Sequence, residues 1–392
     1  MQGWRSRLRF RRVENQALHS YCGDQNVEYP FKVMTLRLEQ DFVNNLYFEK
    51  DDLLLIAMES GIVVLFSISR NKPISILQAD EWVSSVLLTG SLLWTAGKKR
   101  QIQAQHFLTG NSMAKLQAET GVDGYPESGI LFQRTHIADY FLANTGYMTF
   151  ILIHSRTRKI LRIVNLQNHQ TGAHIHTGIL KEFFVSHQGP TIYYISTATA
   201  YYSLHSFNYL RMKEQQVIAL LPQINTERFR VDGYHLLVSK DERLIVVLFQ
   251  MTNRSTQHFF TYATILTRST QPRDNTFNIR RVVRCPHITD RITCKQFCDN
   301  EFRANDKLVF AVGLQQGFTQ TYAIDPKTLD IQVVELLSKS DQMITSHLVV
   351  KNVSFSSSLN GEITALDIRD CILMRLGSWE SEKGFILVST EM

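Results

Sequence analysis

Apolar residues in this chain come in short runs broken by small or polar turns. Leu53-Leu54-Leu55-Ile56-Ala57-Met58 is followed by Glu59-Ser60-Gly61 and then by Ile62-Val63-Val64-Leu65-Phe66. Leu92-Leu93-Trp94-Thr95-Ala96 is followed by Gly97-Lys98-Lys99-Arg100 and then by Gln101-Ile102-Gln103-Ala104. Each stretch predicts a buried strand, a tight turn and a strand running back. The same punctuation recurs along the chain and divides it into seven segments: Phe42–Leu77, Trp82–Leu116, Ile130–Leu166, Leu180–Leu221, Phe229–Leu266, Ile288–Leu337 and Leu348–Leu376. Asn71-Lys72-Pro73, Leu108–Asn111, Asn144-Thr145-Gly146, Gln188-Gly189-Pro190, Ser239–Glu242, Asp325–Thr328 and Leu359-Asn360-Gly361 are the turns. Long helical stripes are scarce. Tyr209–Leu221 reads either as a short helix or as an outer strand with Met212 and Val217 packed inward.

Repeats of this length, each too small to bury its own faces, predict blades of a propeller. Seven blades of roughly 40–45 residues need about 300, and the 392-residue chain fits one ring and an N-terminal arm. The outward strands resemble those of the WD40-repeat family. Gly61–Ile68 puts Phe66-Ser67 in the family's Trp-Asp place, Arg100–Phe107 puts Gln105-His106 there, and Gly361–Ile368 puts Leu366-Asp367 there. The resemblance spans about residues 40 to 377 and implies the fold. The family's Gly-His and Trp-Asp dipeptides are missing, so its internal Asp–His–Ser–Trp hydrogen-bond network is not carried over. Packing between sheets must replace it. The expected architecture is all-β: a single seven-bladed WD40-like β-propeller over residues 29–392 behind an irregular basic arm over residues 1–28. A ring has to dispose of its strand edges, so Tyr29–Leu38 is expected to complete the sheet of Leu348–Leu376, with Phe385–Ser389 as the competing donor.

Charge changes the picture in two places. Residues 1–13 carry five Arg and no acid, and Arg268–Arg284 carries five Arg against Asp274 alone. Their net charges of +5 and +4 exceed the +6 of the whole chain, leaving the remainder near −3. The basicity therefore sits in an arm and one loop, not over a nucleic-acid-coating surface. If Arg5–Arg12 is a strand, Arg5, Arg7, Arg9 and Arg11 share a face opposite Leu8 and Phe10. The arm reads as a bedded segment gripping an acidic partner, as a solvated tail, or as a mitochondrial presequence. No apolar run approaches the ~18 residues of a membrane span. Five cysteines, odd in number and scattered, suit a reducing compartment. The expected location is intracellular, in cytoplasm or nucleus, with mitochondria as the alternative.

Candidate chemistry is sparse. Cys285, His287, Cys294 and Cys298 have the ligand types and spacing of tetrahedral zinc, but alternation along a strand would turn Cys294 toward a packed face. His174 and His176 would share a strand face near His169 without an identifiable third ligand. Asn253-Arg254-Ser255 and Asn352-Val353-Ser354 match the glycosylation acceptor pattern. Nucleophile-elbow, phosphate-loop, zincin and kinase signatures are absent from the sequence. The sequence thus predicts a non-catalytic scaffold or adaptor without cofactor, holding other proteins of a larger complex through Arg7, Arg9, Arg11, Arg280, Arg281 and Arg284. The alternatives are a metal-binding or catalytic propeller near Cys285/His287/Cys294/Cys298, and an RNA contact through the same arginines.

Overall fold

The apolar runs become strands that are buried on both faces. In the computed structural model Leu54–Met58 and Ile62–Ser67 are buried at every position. The structure describes residues 8–12, 34–38, 43–49, 53–67, 72–79, 82–97, 101–118, 129–145, 148–166, 180, 182–198, 201–220, 228–269, 276–285, 288, 290–298, 307–340, 342–350 and 353–367. It has two compact units, residues 44–289 and residues 1–43 with 290–392.

Strands β1 (Leu8–Arg12) and β2 (Met34–Leu38) come first. The first sheet holds β3 (Val43–Glu49), β4 (Leu53–Met58), β5 (Ile62–Ser67) and β6 (Lys72–Gln78). The second holds β7 (Val83–Thr89), β8 (Leu92–Gly97), β9 (Gln101–His106) and β10 (Ser112–Gln117). The third holds β11 (Leu131–Arg134), β12 (Tyr140–Asn144), β13 (Thr149–His154) and β14 (Lys159–Asn165). The fourth holds β15 (Phe183–Val185), β16 (Thr191–Ala198), β17 (Tyr201–Asn208) and β18 (Lys213–Ala219). The fifth holds β19 (Phe229–Val238), β20 (Leu244–Asn253), β21 (Phe259–Arg268) and β22 (Phe277–Cys285). The sixth holds β23 (Ile292–Phe297), β24 (Leu308–Leu314), β25 (Phe318–Ile324) and β26 (Ile331–Lys339). The seventh joins β27 (Ile344–Val350), β28 (Val353–Ser358) and β29 (Glu362–Asp367) to β2 and then β1. Neighbours in every sheet are consecutive in the chain, except that β2 pairs with β29. The expected closure by Tyr29–Leu38 is thus borne out at Met34–Leu38; Phe385–Ser389 lies outside the described residues.

Alternation explains the unbroken apolar runs. In β12 and β13, Leu142, Phe150 and Leu152 pack with Phe183, Ile192, Tyr194 and Phe207 of the fourth sheet. Their neighbours Phe141, Ala143, Ile151 and Ile153 pack with Trp94, Ile102 and Ala104 of the second. Successive side chains point to opposite faces, so a strand covered on both sides must be apolar throughout. The fourth sheet repeats the device, with Tyr193 and Ile195 turned to Leu236, Ile245, Val247 and Phe249 of the fifth.

Polar side chains also tie sheet to sheet. Asn45 Nδ2 donates to Ser84 O at 2.7 Å, and Ser85 Oγ accepts from Phe132 N at 3.0 Å. Gln133 donates to Phe183 O at 3.3 Å and accepts from Val185 N at 2.6 Å. Glu182 accepts from Leu236 N at 3.0 Å, and Gln296 from Val349 N at 3.0 Å. Each is on or beside the first strand of its sheet and engages backbone of the next first strand. A strand paired on one side only leaves amides and carbonyls that need such partners.

The last strands are blunted instead. Each of β6, β10, β14, β18, β22 and β26 carries a bulge against its neighbour. Bulges spoil an edge as a template for further pairing. The ladder of β2 with β29 is unbroken, and β1 pairs on its other side. Three hairpins between second and third strands share one glycine geometry. Gly61, Gly317 and Gly361 have φ of 86°, 89° and 76°, and each donates to the carbonyl three residues back. A Cβ on Gly317 would meet Ser340 O at 2.1 Å, so only glycine fits there.

Some expectations need correction. The fifth segment does not end at Leu266: β22 is its fourth strand. Lys72 and Pro73 are strand, not turn; β6 pairs on one side only, where Pro is tolerated. Tyr209–Leu221 is not helix: it holds a turn and β18. Val217 is 44% exposed, whereas Met212 packs on the core. Residues five apart cannot share a face at period two.

One buried base makes stability depend on pH. His347, in β27, lies with Nε2 2.9 Å from Ser354 Oγ, and burial pushes its pKa down to about 3. The unfolded chain binds a proton there near pH 6.5, and the folded chain does not. Its contribution is complete above pH 6.5 and is lost as pH falls toward 3, by up to about 1.4 kcal/mol per unit. Urea unfolding at pH 7, 6 and 5 is expected to show this slope, reduced by one proton in His347→Gln. An unchanged slope in the variant refutes the assignment.

Candidate functional site

The arginines of the 268–284 stretch divide between two environments. Arg280, Arg281 and Arg284 stand on β22, which among the described residues pairs only with β21 and is the edge of the fifth sheet. The expectation of a basic loop is therefore corrected to a strand, with residues 270–275 outside the described residues. The five positions from Asn278 to Val282 are all exposed. Arg281 lies opposite Ile265, Arg284 opposite Tyr262, and Arg280 is the extra residue of the bulge. Arg280 Nε donates to Thr267 Oγ1 at 3.2 Å, and the Arg284 guanidinium lies 5.9 Å from the Phe260 ring centre. Ile279 and Val282 are exposed beside them. The strand presents cations interleaved with aliphatic side chains, on backbone held by the β21 ladder.

Arg268 is different. Its guanidinium bonds Gln188 Oε1 at 3.0 Å and Tyr193 OH at 3.2 Å, lies 3.6 Å from the Glu242 carboxylate, and covers Phe277. It fastens the fourth sheet to the fifth. In the arm, Arg9 and Arg11 occupy alternate positions of β1, opposite Arg37 and Thr35 of β2. Arg7 lies outside the described residues. The structure thus groups Arg280, Arg281 and Arg284 on one strand, and Arg9 and Arg11 on another in the other unit.

The thiols have the character of core residues. Cys285 ends β22, and burial pushes its thiol up to about 12. Burial likewise raises Cys294 to about 12, against weaker lowering by Thr293 and Gly313. A Cβ on Gly313 would lie 2.5 Å from Cys294 Sγ, so the glycine makes room for the sulfur. Cys298 is buried. Metal binding needs thiolates, which such burial disfavours. Among the described residues no three His, Cys, Asp or Glu side chains gather as a metal site. His287, His169, His174 and His176 lie outside them. Asn253 of the first acceptor pattern uses its Oδ1 on Ser255 N at 3.0 Å and Ser255 Oγ at 2.7 Å, closing the β20–β21 turn. Among the described residues no helix is long and apolar enough to cross a membrane.

No family model matches the chain. No curated protein matches it in sequence. A solved structure does match in shape: the β-propeller domain of Cps50 (Swd1) from Myceliophteria thermophila, at TM-score 0.61 and 10% identity, covering 85% of this chain and 99% of that one. With its seven antiparallel sheets, this chain has the fold of a seven-bladed β-propeller. At that identity the likeness shows the fold alone, and the fold is shared by many functions.

Proposed function

We propose that this propeller is a non-catalytic scaffold that holds protein partners within a larger assembly. Arg280, Arg281 and Arg284, together with Arg7, Arg9 and Arg11 of the arm, contact an acidic protein surface. The observation that carries the reading is the exposure of β22: three arginines and two aliphatics stand outward on an edge strand, and the fold needs none of them for its core. Arginine suits such a surface because its planar fork pairs bidentately with carboxylates. The likeness to the Cps50 (Swd1) propeller domain supports the architecture of this reading. Its place is a reducing intracellular compartment, which five cysteines, odd in number and scattered, suit.

The test replaces the six arginines with Gln. The folded state is expected to lose less than about 1 kcal/mol, because exposed cation–π contacts and surface hydrogen bonds contribute little. Recovery of co-purifying proteins, quantified at low salt, should fall several-fold, and the remainder should fade as salt rises. Unchanged recovery refutes the assignment. Recovery that nuclease abolishes, with a steep salt dependence, moves the surface to RNA.

A further inference from the structure

We infer that the junction of the third and fourth sheets is a second docking site, built to take one large apolar side chain from an acidic peptide segment of a partner protein. A cavity of about 280 Å³ opens there. Its walls include Tyr140 and Leu152 from the third sheet and Tyr209 from the turn between β17 and β18. Its rim includes Ile137, Leu161 and Leu210, which are 40%, 50% and 43% exposed. Three large apolar side chains left in water around one hollow are more than the scattered exposure common on surfaces. Ile137, Leu152, Leu161 and Leu210 make most of its lining apolar, which suits an apolar side chain as the anchor.

The local structure sets this hollow open. Leu152 lies opposite Arg162 and Ile153 opposite Ile160, so Leu161 is the extra residue of a bulge. A bulge re-aims the side chain it inserts. Arg162 Nη1 donates to Leu210 O at 2.8 Å and so holds the fourth sheet's turn against β14. Tyr209, its hydroxyl 3.0 Å from His136 Nδ1, holds the same turn from within; burial raises its pKa to about 12, so it stays neutral. The hollow is pinned on both sides by hydrogen bonds rather than filled by a neighbouring side chain.

Charge selects the occupant. Lys159 and Arg162 on β14, and Arg211 and Lys213 after Leu210, are exposed cations. The acids nearest in the chain are already engaged: Asp139 with Arg156 Nε at 2.9 Å, and Glu214 with His205 Nδ1 at 2.5 Å. The surroundings therefore complement a peptide with Asp or Glu flanking its apolar anchor. This goes beyond the β22 surface, sharing with it only the premise that the chain holds proteins, and it is tested separately.

The probe is a set of five fluorescein-labelled acidic peptides, alike except for a central Leu, Met, Phe, Tyr or Trp. They are titrated by anisotropy against the full chain. At least one is expected to bind at least tenfold tighter than its central-Ser version and than a version with Lys in place of its acids. Leu161→Glu and the neutral Leu210→Ser, each with unaltered thermal unfolding, should weaken it at least tenfold. Arg280→Gln with Arg281→Gln should not. Binding that ignores the central residue, or survives both rim substitutions, overturns the proposal. So does the absence of saturation by any peptide up to about 1 mM. These outcomes leave the β22 reading standing, because that surface is intact in both rim variants.

Discussion

A chain shortened to begin after Leu38 is expected to lose cooperative folding. β2 pairs with β29 through Met34–Ala365, Thr35–Thr364, Leu36–Ile363 and Arg37–Glu362. The two strands come from opposite ends of the sequence, and among the described residues no other strand is paired on that side of β29. Removing β2 takes away a ladder whose bonds contribute about 1 kcal/mol each. It also uncovers part of the surroundings of Ile363, which is fully buried, at a further cost of about 1 kcal/mol or more. A loss of roughly 5 kcal/mol is comparable with the whole stability of many domains. The newly bare edge has no bulge to blunt it, so self-association is expected as well. Denaturant unfolding and sedimentation measure both effects. A truncated chain that stays monomeric and unfolds at the original midpoint would show that β2 does not complete the sheet.

The closing strand could be read from sequence by a global argument: the last sheet of a closed ring is expected to borrow a strand from the other end of the chain. The blades could be read because strands buried on both faces give unbroken apolar runs, and because glycines such as Gly61 and Gly361 mark the hairpins. β22 escaped for a local reason. Its bulge at Arg280 breaks the period of two between Ile279 and Val282, and an exposed edge strand has little apolar signal to begin with. The ties between sheets were illegible altogether. Gln133 meets Val185, and Glu182 meets Leu236, across more than 50 positions, a distance at which sequence spacing has no regularity. The hollow at the third and fourth sheets shares that origin, since its walls come from separate turns and strands between residues 135 and 210. Glu242 was legible as turn punctuation only. That it is fully buried follows from packing.

Glu242→Ala is accordingly expected to destabilise the protein by about 3 kcal/mol, with the core composition unchanged. The carboxylate accepts from Ser186 Oγ at 2.6 Å, His187 N at 2.7 Å and Gln188 N at 3.2 Å. It thereby holds the β15–β16 turn of the fourth sheet against the β19–β20 turn of the fifth, with Arg268 at 3.6 Å. Truncation strands these donors and leaves the guanidinium without its carboxylate. Breaking a buried pair costs about 3–5 kcal/mol. The lower end applies here because about a fifth of the Arg268 side chain is exposed. Backbone strain contributes separately: Glu242 has φ of 51°, which costs a non-glycine residue roughly 1 kcal/mol. Glu242→Gly removes that strain and should therefore be less damaging than Glu242→Ala, an order opposite to the usual one in strands. Arg268→Met should cost less than Glu242→Ala, and the double variant less than the sum of the two, since each single change leaves the other partner uncompensated. Urea unfolding of the unaltered protein and these four variants decides it. Additive losses, or a loss below about 1 kcal/mol for Glu242→Ala, would mean that the fourth and fifth sheets are held by their apolar layer alone. The predicted outcome instead gives Arg268 a structural role in joining the fourth sheet to the fifth.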